Sequence, residues 1–131
     1  MTERFTLPLT IAPADIDELG HVNNTVYLRW AQEIAIAHWQ SRASAEMIAD
    51  LIWVVTRHEI DYRASLQLGD VIEARTWVAE APRGALWVRY IEIGKANEKP
   101  AASITSTWCL LDAATRRVKR VPLDLVARFL A

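Results

Sequence analysis

Apolar and polar residues follow two different periods along this chain, and each period predicts a different secondary structure. Across residues 24–42 the apolar side chains recur every three or four positions, which is the spacing of an amphipathic helix. From residue 52 onward apolar and polar positions alternate, as in the segment IWVVTRHEIDYR, which is typical of strands with one buried face. The pattern therefore predicts one long helix followed by a run of strands.

Short turns separate the predicted strands. We expect strands at residues 4–11, 52–63, 71–80, 85–93 and 101–112. Pro8 favours an edge position for the first strand, a short helix is expected from Ser44, and Pro122 can begin a short C-terminal helix. Strands joined by tight turns run antiparallel. The predicted fold class is therefore α+β: one domain over residues 1–131, with one long helix against an antiparallel sheet of about five strands.

A sheet covered by a single helix leaves its second face open. In the segment ALWVRYIEI, Trp87, Ile91 and Ile93 fall on one side of the strand, and we expect them on that open face. A monomer that exposed such a surface would be poorly soluble. The sequence therefore predicts self-association.

The composition argues against several classes of protein. Of the 131 residues, 52% are apolar and 24% are charged, which is typical of a globular domain. A net charge of −1 gives no reason to expect nucleic-acid binding, and no apolar run reaches the ~20 residues of a membrane span. The first residues lack the layout of a secretory signal, and Cys109 is the single cysteine. We therefore expect a cytoplasmic protein with no membrane partner.

Two familiar kinds of catalytic site are not expected. His21, His38 and His58 lie far apart in the sequence without the spacing of metal ligands, so no metal site is predicted. No serine stands in a Gly-x-Ser-x-Gly context, which argues against an α/β-hydrolase.

The segment DIDELGHVNN, directly before the predicted long helix, is the main candidate for chemistry. Asn23 or Asn24 is a strong helix N-cap. The first N–H groups of a helix have no intrahelical acceptor and can bind an anion or a polarised carbonyl oxygen. Asp15, Asp17 and Glu18 lie just upstream, so a carboxylate can approach whatever binds there. Such residues are also common as ordinary caps and turn formers, and the residues alone leave both interpretations open.

The longer segment DIDELGHVNNTVYLRWAQE resembles the signature of hotdog-fold acyl thioesterases, specifically the 4-hydroxybenzoyl-CoA thioesterase-like group. The similarity continues in HEIDYRASLQLGDVI and in TSTWCLLDAATRRVKRVP, so that it covers nearly the whole chain. It implies a hotdog fold, in which an antiparallel sheet wraps around one long helix. It also implies homodimers or homotetramers that pair their sheets, with active sites at the dimer interface.

The resemblance assigns roles to individual residues. Asp17 matches the catalytic carboxylate, acting as nucleophile or general base, and the backbone N–H of Asn24 matches the group that polarises the thioester carbonyl. His21 matches a further catalytic position. The predicted substrate-binding residues are Asn23, Tyr27, Trp30 and Arg63, with Trp53 and Val54 as further candidates for the acyl pocket. Residues that could meet coenzyme A phosphates are Arg83, Arg116, Arg117, Lys119 and Arg120.

The expected function is hydrolysis of an acyl-CoA thioester to a free carboxylic acid and coenzyme A, with no cofactor beyond the coenzyme A of the substrate. Two alternatives stay open: an acyl-carrier-protein thioesterase, whose acidic carrier would meet the basic run, and a binding protein that holds acyl thioesters without turnover. Plant-type carrier-protein thioesterases have an asparagine two residues before the histidine of the motif, where this chain has Leu19. That difference favours the simpler chemistry centred on Asp17.

Overall fold

The computed structural model describes residues 2–130 and contains a long helix against a five-stranded sheet. The elements that position the site are β1 (Phe5–Leu9), α1 (Asn24–Arg42), α2 (Ala45–Asp50), β2 (Leu51–Tyr62), β3 (Ile72–Val78), β4 (Leu86–Lys95), β5 (Ala102–Asp112) and α3 (Leu123–Phe129). A single 3₁₀ turn, Pro13–Asp15, interrupts the loop between β1 and α1. The predicted order of elements is confirmed, although β1 is shorter than the predicted residues 4–11.

All strand pairs are antiparallel, and the strand order is β1-β3-β4-β5-β2. Consecutive strands β3, β4 and β5 are neighbours because short turns connect them. β1 and β2 form the two edges, which confirms the edge position that Pro8 favours. The pairing of β2 with β5 shifts register between Val55 and Arg57, which marks a β-bulge.

α1 begins and ends where the sequence pattern predicts. Asn23 is its N-cap, because the Asn23 side chain accepts a hydrogen bond from the Thr25 N–H at 2.9 Å. Residues three or four positions apart share the face that is buried against the sheet: Val26, Tyr27, Trp30, Ala31, Ile34, Ala35 and His38. Burial of this face, rather than helix propensity, holds α1 in place.

The sheet face that α1 covers carries the large apolar side chains of β4. Trp87, Ile91 and Ile93 are 4%, 1% and 0% exposed. The expectation that they lie on the open face is therefore wrong. Alternation in a single strand tells which residues share a face, but it does not tell which face the helix covers. On the outer face, Trp77 stacks on Tyr90 with ring centroids 5.7 Å apart.

These elements give the arrangement of a hotdog fold, with the sheet curled around α1, and confirm the fold that the sequence predicted. The core has two parts, one around the N-terminal half of α1 and one where Leu110 and Leu125 pack near its C-terminal half. Within residues 2–130, no helix combines the length and the apolar character needed to cross a bilayer.

Candidate active site

The loop before α1 is held in one shape by the buried carboxylate of Asp15. One Asp15 oxygen accepts the Ala12 N–H at 2.9 Å, and the other accepts Nη2 of Arg29 at 3.0 Å. The Asp15 carbonyl oxygen also accepts the Asn23 N–H at 2.8 Å. Asp15 therefore anchors the loop to the start of α1, and its carboxylate is already engaged by protein groups.

Asp17 lies in the tight turn that this anchor supports. Its backbone N–H donates to the His21 carbonyl oxygen at 2.9 Å, and Gly20 closes the turn with φ of 81°. Oδ1 of Asp17 accepts the Leu19 N–H at 2.9 Å and, more weakly, the His21 N–H at 3.4 Å. Oδ2 of Asp17 has no hydrogen-bond donor among residues 2–130. The turn thus fixes the carboxylate through one oxygen and leaves the other available.

The N–H of Asn24 is the first of α1. The cap satisfies the neighbouring donors, because Asn23 accepts the N–H and the hydroxyl of Thr25. In the part of the chain that the structure describes, the Asn24 N–H has no acceptor, and Asn24 is exposed. The positive end of the helix dipole lies at this group. A carbonyl oxygen placed here would receive an N–H donor and a favourable field.

Asp17 and Asn24 line one open cleft of about 520 Å³. Six residues that the sequence assigns to catalysis or substrate binding line this cleft: Asp17, His21, Asn23, Asn24, Tyr27 and Arg63. Tyr62 closes one side, donating its hydroxyl to the Asn24 carbonyl oxygen at 3.0 Å and stacking edge to face on Tyr27. Burial raises the pKa of Tyr27, so its hydroxyl stays protonated at neutral pH.

Other predicted site residues lie elsewhere. Trp30 is 1% exposed inside the core and does not line the cleft of Asp17. Val54 is exposed on the edge strand β2. Trp53 lines a second cavity, which lies between α1, α3 and the strands β2, β3, β4 and β5. Ala35, another lining residue of that second cavity, follows Asn24 by eleven positions along α1. That separation corresponds to about 16 Å.

The second cavity, called the aromatic cavity below, has a volume of about 310 Å³. Its aromatic lining residues are Trp39, Trp53, Trp87, Trp108 and Phe129. Arg89 is a further lining residue, although it is only 7% exposed. The sequence interpretation missed Arg89. The signal was available, since alternation in β4 puts this arginine on the same face as Trp87 and Ile91.

The predicted phosphate-binding residues gather at one end of the sheet. Arg116, Arg117, Lys119 and Arg120 are exposed on the segment that follows β5, and Arg83 is exposed at the β3–β4 turn. The two segments touch, because the Val121 N–H donates to the Gly84 carbonyl oxygen at 2.9 Å. The carbonyl oxygen of Asp50, the residue before β2, accepts the Ala113 N–H at the same end. The basic residues therefore lie at the end of the sheet where β2 starts, and Tyr62 and the Asp17 cleft lie at the other end of β2.

Among residues 2–130, no group of three or more His, Cys, Asp and Glu side chains is arranged to hold a metal ion.

Comparison with known proteins gives one family. The model of the Thioesterase-like superfamily matches residues 11–129. A chloroplastic acyl-(acyl-carrier-protein) hydrolase of Cuphea viscosissima is 32% identical over 110 residues, which are 83% of this chain and 27% of the relative. A palmitoyl-acyl carrier protein thioesterase of Gossypium hirsutum is 29% identical over 103 residues, which are 72% of this chain and 25% of the relative. The chain thus spans about a quarter of the length of these curated relatives.

Solved structures share the fold. A thioesterase from Thermus thermophilus, solved with coenzyme A and Zn, superposes with a TM-score of 0.82 at 23% identity and covers 95% of this chain and 90% of its own. A 1,4-dihydroxy-2-naphthoyl-CoA thioesterase from Synechocystis gives a TM-score of 0.80 at 18% identity, over 96% of this chain and 95% of its own.

Proposed function

This chain belongs to the Thioesterase-like superfamily, and on that premise we propose that it hydrolyses an acyl-CoA thioester with Asp17 as the catalytic carboxylate. The observation that carries the proposal is the shared cleft of Asp17 and the Asn24 N–H, in which one carboxylate oxygen and one helix-start donor are both available. The Asn24 N–H stabilises the negative charge that develops on the thioester carbonyl oxygen.

The proposed reaction uses protein groups and one water molecule. Asp17 either attacks the carbonyl carbon, giving an anhydride that water then opens, or removes a proton from an attacking water. In both routes the C–S bond breaks, a C–O bond from water forms, and the thiolate leaves and takes up a proton. The products are a carboxylate and the free thiol. His21 and Arg63 also line the cleft, where their side chains can contact the substrate.

A second copy of the chain completes the site. β2 is an edge strand with free hydrogen-bonding groups, and antiparallel pairing of two copies extends the sheet across a twofold axis. A register that puts Arg57 opposite Glu59 of the second copy is favourable in charge. It brings the Tyr62 end of one β2 beside the Trp53 end of the other. The Asp17 cleft of one copy then faces the aromatic cavity of the second, and the acyl group lies in that cavity.

The proposal is tested by thiol release from short, medium, long and aromatic acyl-CoA substrates. Asp17→Asn keeps an oxygen that accepts the Leu19 N–H but removes the charge, so kcat should fall by ~10² or more without loss of folding. Glu18→Gln is the matched control, because Glu18 is exposed and does not line the cleft. Equal rates for Asp17→Asn and the parent chain would show that the assigned mechanism is wrong.

An acyl-carrier-protein thioesterase is the second candidate, favoured by the names of the curated relatives. The exposed basic segment 116–120 would then meet an acidic carrier. One acyl group presented on both carriers decides between the two. A kcat/KM at least tenfold higher on the carrier protein would favour this candidate, and the opposite ratio would favour coenzyme A. Tight binding of both without thiol release would instead indicate a binding protein.

A further inference from the structure

Arg89 is a buried cation in an otherwise apolar face of β4. Its neighbours on that face, Trp87 and Ile91, are in the core, and Arg89 itself is 7% exposed. Isolated charges are rarely buried, because removal from water costs several kcal/mol unless a partner compensates. The surroundings of the guanidinium therefore matter for its role.

Only part of the guanidinium is satisfied by protein groups. Nη1 donates to Nδ1 of His38 at 2.9 Å and to Oγ1 of Thr76 at 3.0 Å. Nε and Nη2, which carry the remaining three N–H groups, have no acceptor among residues 2–130. In the same range, Arg89 forms no ion pair with a carboxylate.

His38 does not supply the missing negative charge. Burial and the neighbouring Arg89 lower the pKa of His38 to about 3, so this imidazole is neutral at physiological pH. Burial lowers the pKa of Arg89 to about 10, which still leaves it charged. The pair therefore carries a net positive charge inside the core.

The aromatic cavity lies against this charge. Its volume of about 310 Å³ is at the lower end of the range for small-molecule pockets. The walls contributed by Trp53 and Trp87 suit a methylene chain or a ring. Trp108 is a further lining residue, although its indole N–H is buried without an acceptor in the described chain. The cavity thus combines an apolar body with one cation.

We propose that Arg89 is a specificity-determining residue, which binds a carboxylate at the far end of the acyl group through the Nε and Nη2 edge of its guanidinium. Those two nitrogens present parallel N–H groups that match the two oxygens of a carboxylate. The preferred substrates are then thioesters of dicarboxylic acids, with the free carboxylate deep in the aromatic cavity. This inference rests on the proposed function, since it takes the cavity to hold the acyl group.

Pairs of substrates of equal length test the inference. Adipoyl-CoA and hexanoyl-CoA differ in a terminal carboxylate, and the parent chain should hydrolyse the former with the higher kcat/KM. Arg89→Met should lower the ratio of kcat/KM for adipoyl-CoA to kcat/KM for hexanoyl-CoA by roughly 10- to 100-fold, because a hydrogen-bonded charge pair is lost. The hydrolysis of hexanoyl-CoA itself should be kept or improved. Arg89→Lys keeps the charge but lacks the two parallel N–H groups, and it should retain part of the preference. Arg75→Met, on the outer sheet face, is the matched control and should leave the preference unchanged.

A binding measurement makes the result independent of turnover. Calorimetric titration of adipate and of hexanoate should give the tighter binding for adipate in the parent chain and in Arg75→Met, and lose the difference in Arg89→Met. If neither thioester is hydrolysed but adipate binds through Arg89, the proposed function fails and the carboxylate site stands. The inference is overturned if the parent chain shows no preference for the terminal carboxylate, or if Arg89→Met slows both substrates equally. Thermal unfolding of each variant confirms that it is folded.

Discussion

The buried imidazole of His38 makes the stability of this fold depend on pH in a way that can be calculated. His38 is 0% exposed and stacks on Phe5 at 5.0 Å, with Phe129 edge to face at 4.9 Å. Its Nδ1 accepts a hydrogen bond from Arg89. Protonation would put a second positive charge beside the guanidinium and remove this acceptor. We therefore expect His38 to stay neutral as long as the protein is folded.

The size of the effect follows from the two pKa values. His38 has a pKa of about 3 in the folded chain, against a value of 6.5 when it is free in water. Between these values the unfolded chain binds one proton more than the folded chain, so stability rises with pH in this window and is lost as pH falls. One pKa unit corresponds to about 1.4 kcal/mol, so acidification from pH 7.5 to 4.5 should cost about 2–3 kcal/mol through His38 alone. That is a large part of the ~5–15 kcal/mol that stabilises a typical domain.

Urea unfolding at pH 7.5, 5.5 and 4.5 measures this loss. His38→Asn keeps an oxygen near the position of Nδ1, but this side chain does not titrate. The unfolding free energy of the variant minus that of the parent should therefore rise by about 2–3 kcal/mol from pH 7.5 to pH 4.5. Contributions of other titrating groups, including His58, are common to both chains and cancel in the difference. His21→Asn, in the half-buried loop before α1, controls for the replacement of an imidazole by an amide at a second position. Parallel pH curves for the parent and His38→Asn would refute the reasoning.

Two further predictions concern the helix start and the sheet edge. Asn23→Ala removes the acceptor of the Thr25 N–H, so the protein should lose about 1 kcal/mol of stability. Because the Asn24 N–H belongs to the same turn, kcat should also fall. Thermal unfolding and thiol release measure these two effects, and unchanged values for both would contradict the assigned cap. Glu59→Arg would put like charges opposite one another in the proposed pairing of β2, so sedimentation velocity should show weaker self-association, and adding Arg57→Glu should restore it. If the single and double variants associate equally well, β2 is not the interface.

The sequence predicted the elements well because local signals agree with the tertiary fold. The bounds of α1 follow from the cap at Asn23 and the three-and-four spacing of its apolar residues, and both survive in the structure. The antiparallel order of β3, β4 and β5 follows from their short turns. The cleft residues Asp17, His21 and Asn24 could be found because they lie within one short segment.

The aromatic cavity could not be predicted in the same way. Its lining comes from four strands and two helices that are distant in sequence, so only the tertiary packing brings Trp39, Trp87 and Phe129 together. Trp30 was assigned to the substrate site by its place near the motif, but the rotation of α1 points it into the core. Arg89 breaks the apolar pattern of its strand face, which is the kind of local conflict that marks a functional position.

The clustering of indoles around one cavity also gives the protein an internal optical reporter. Trp53 lies 6.0 Å from Trp39 and 6.4 Å from Trp87, measured between ring centroids, so excitation absorbed by one ring passes readily to the others. A compound that enters the cavity and quenches one of these rings therefore lowers the fluorescence emission of several tryptophans. Intrinsic emission can accordingly follow the filling of this cavity in real time, without a label and without turnover.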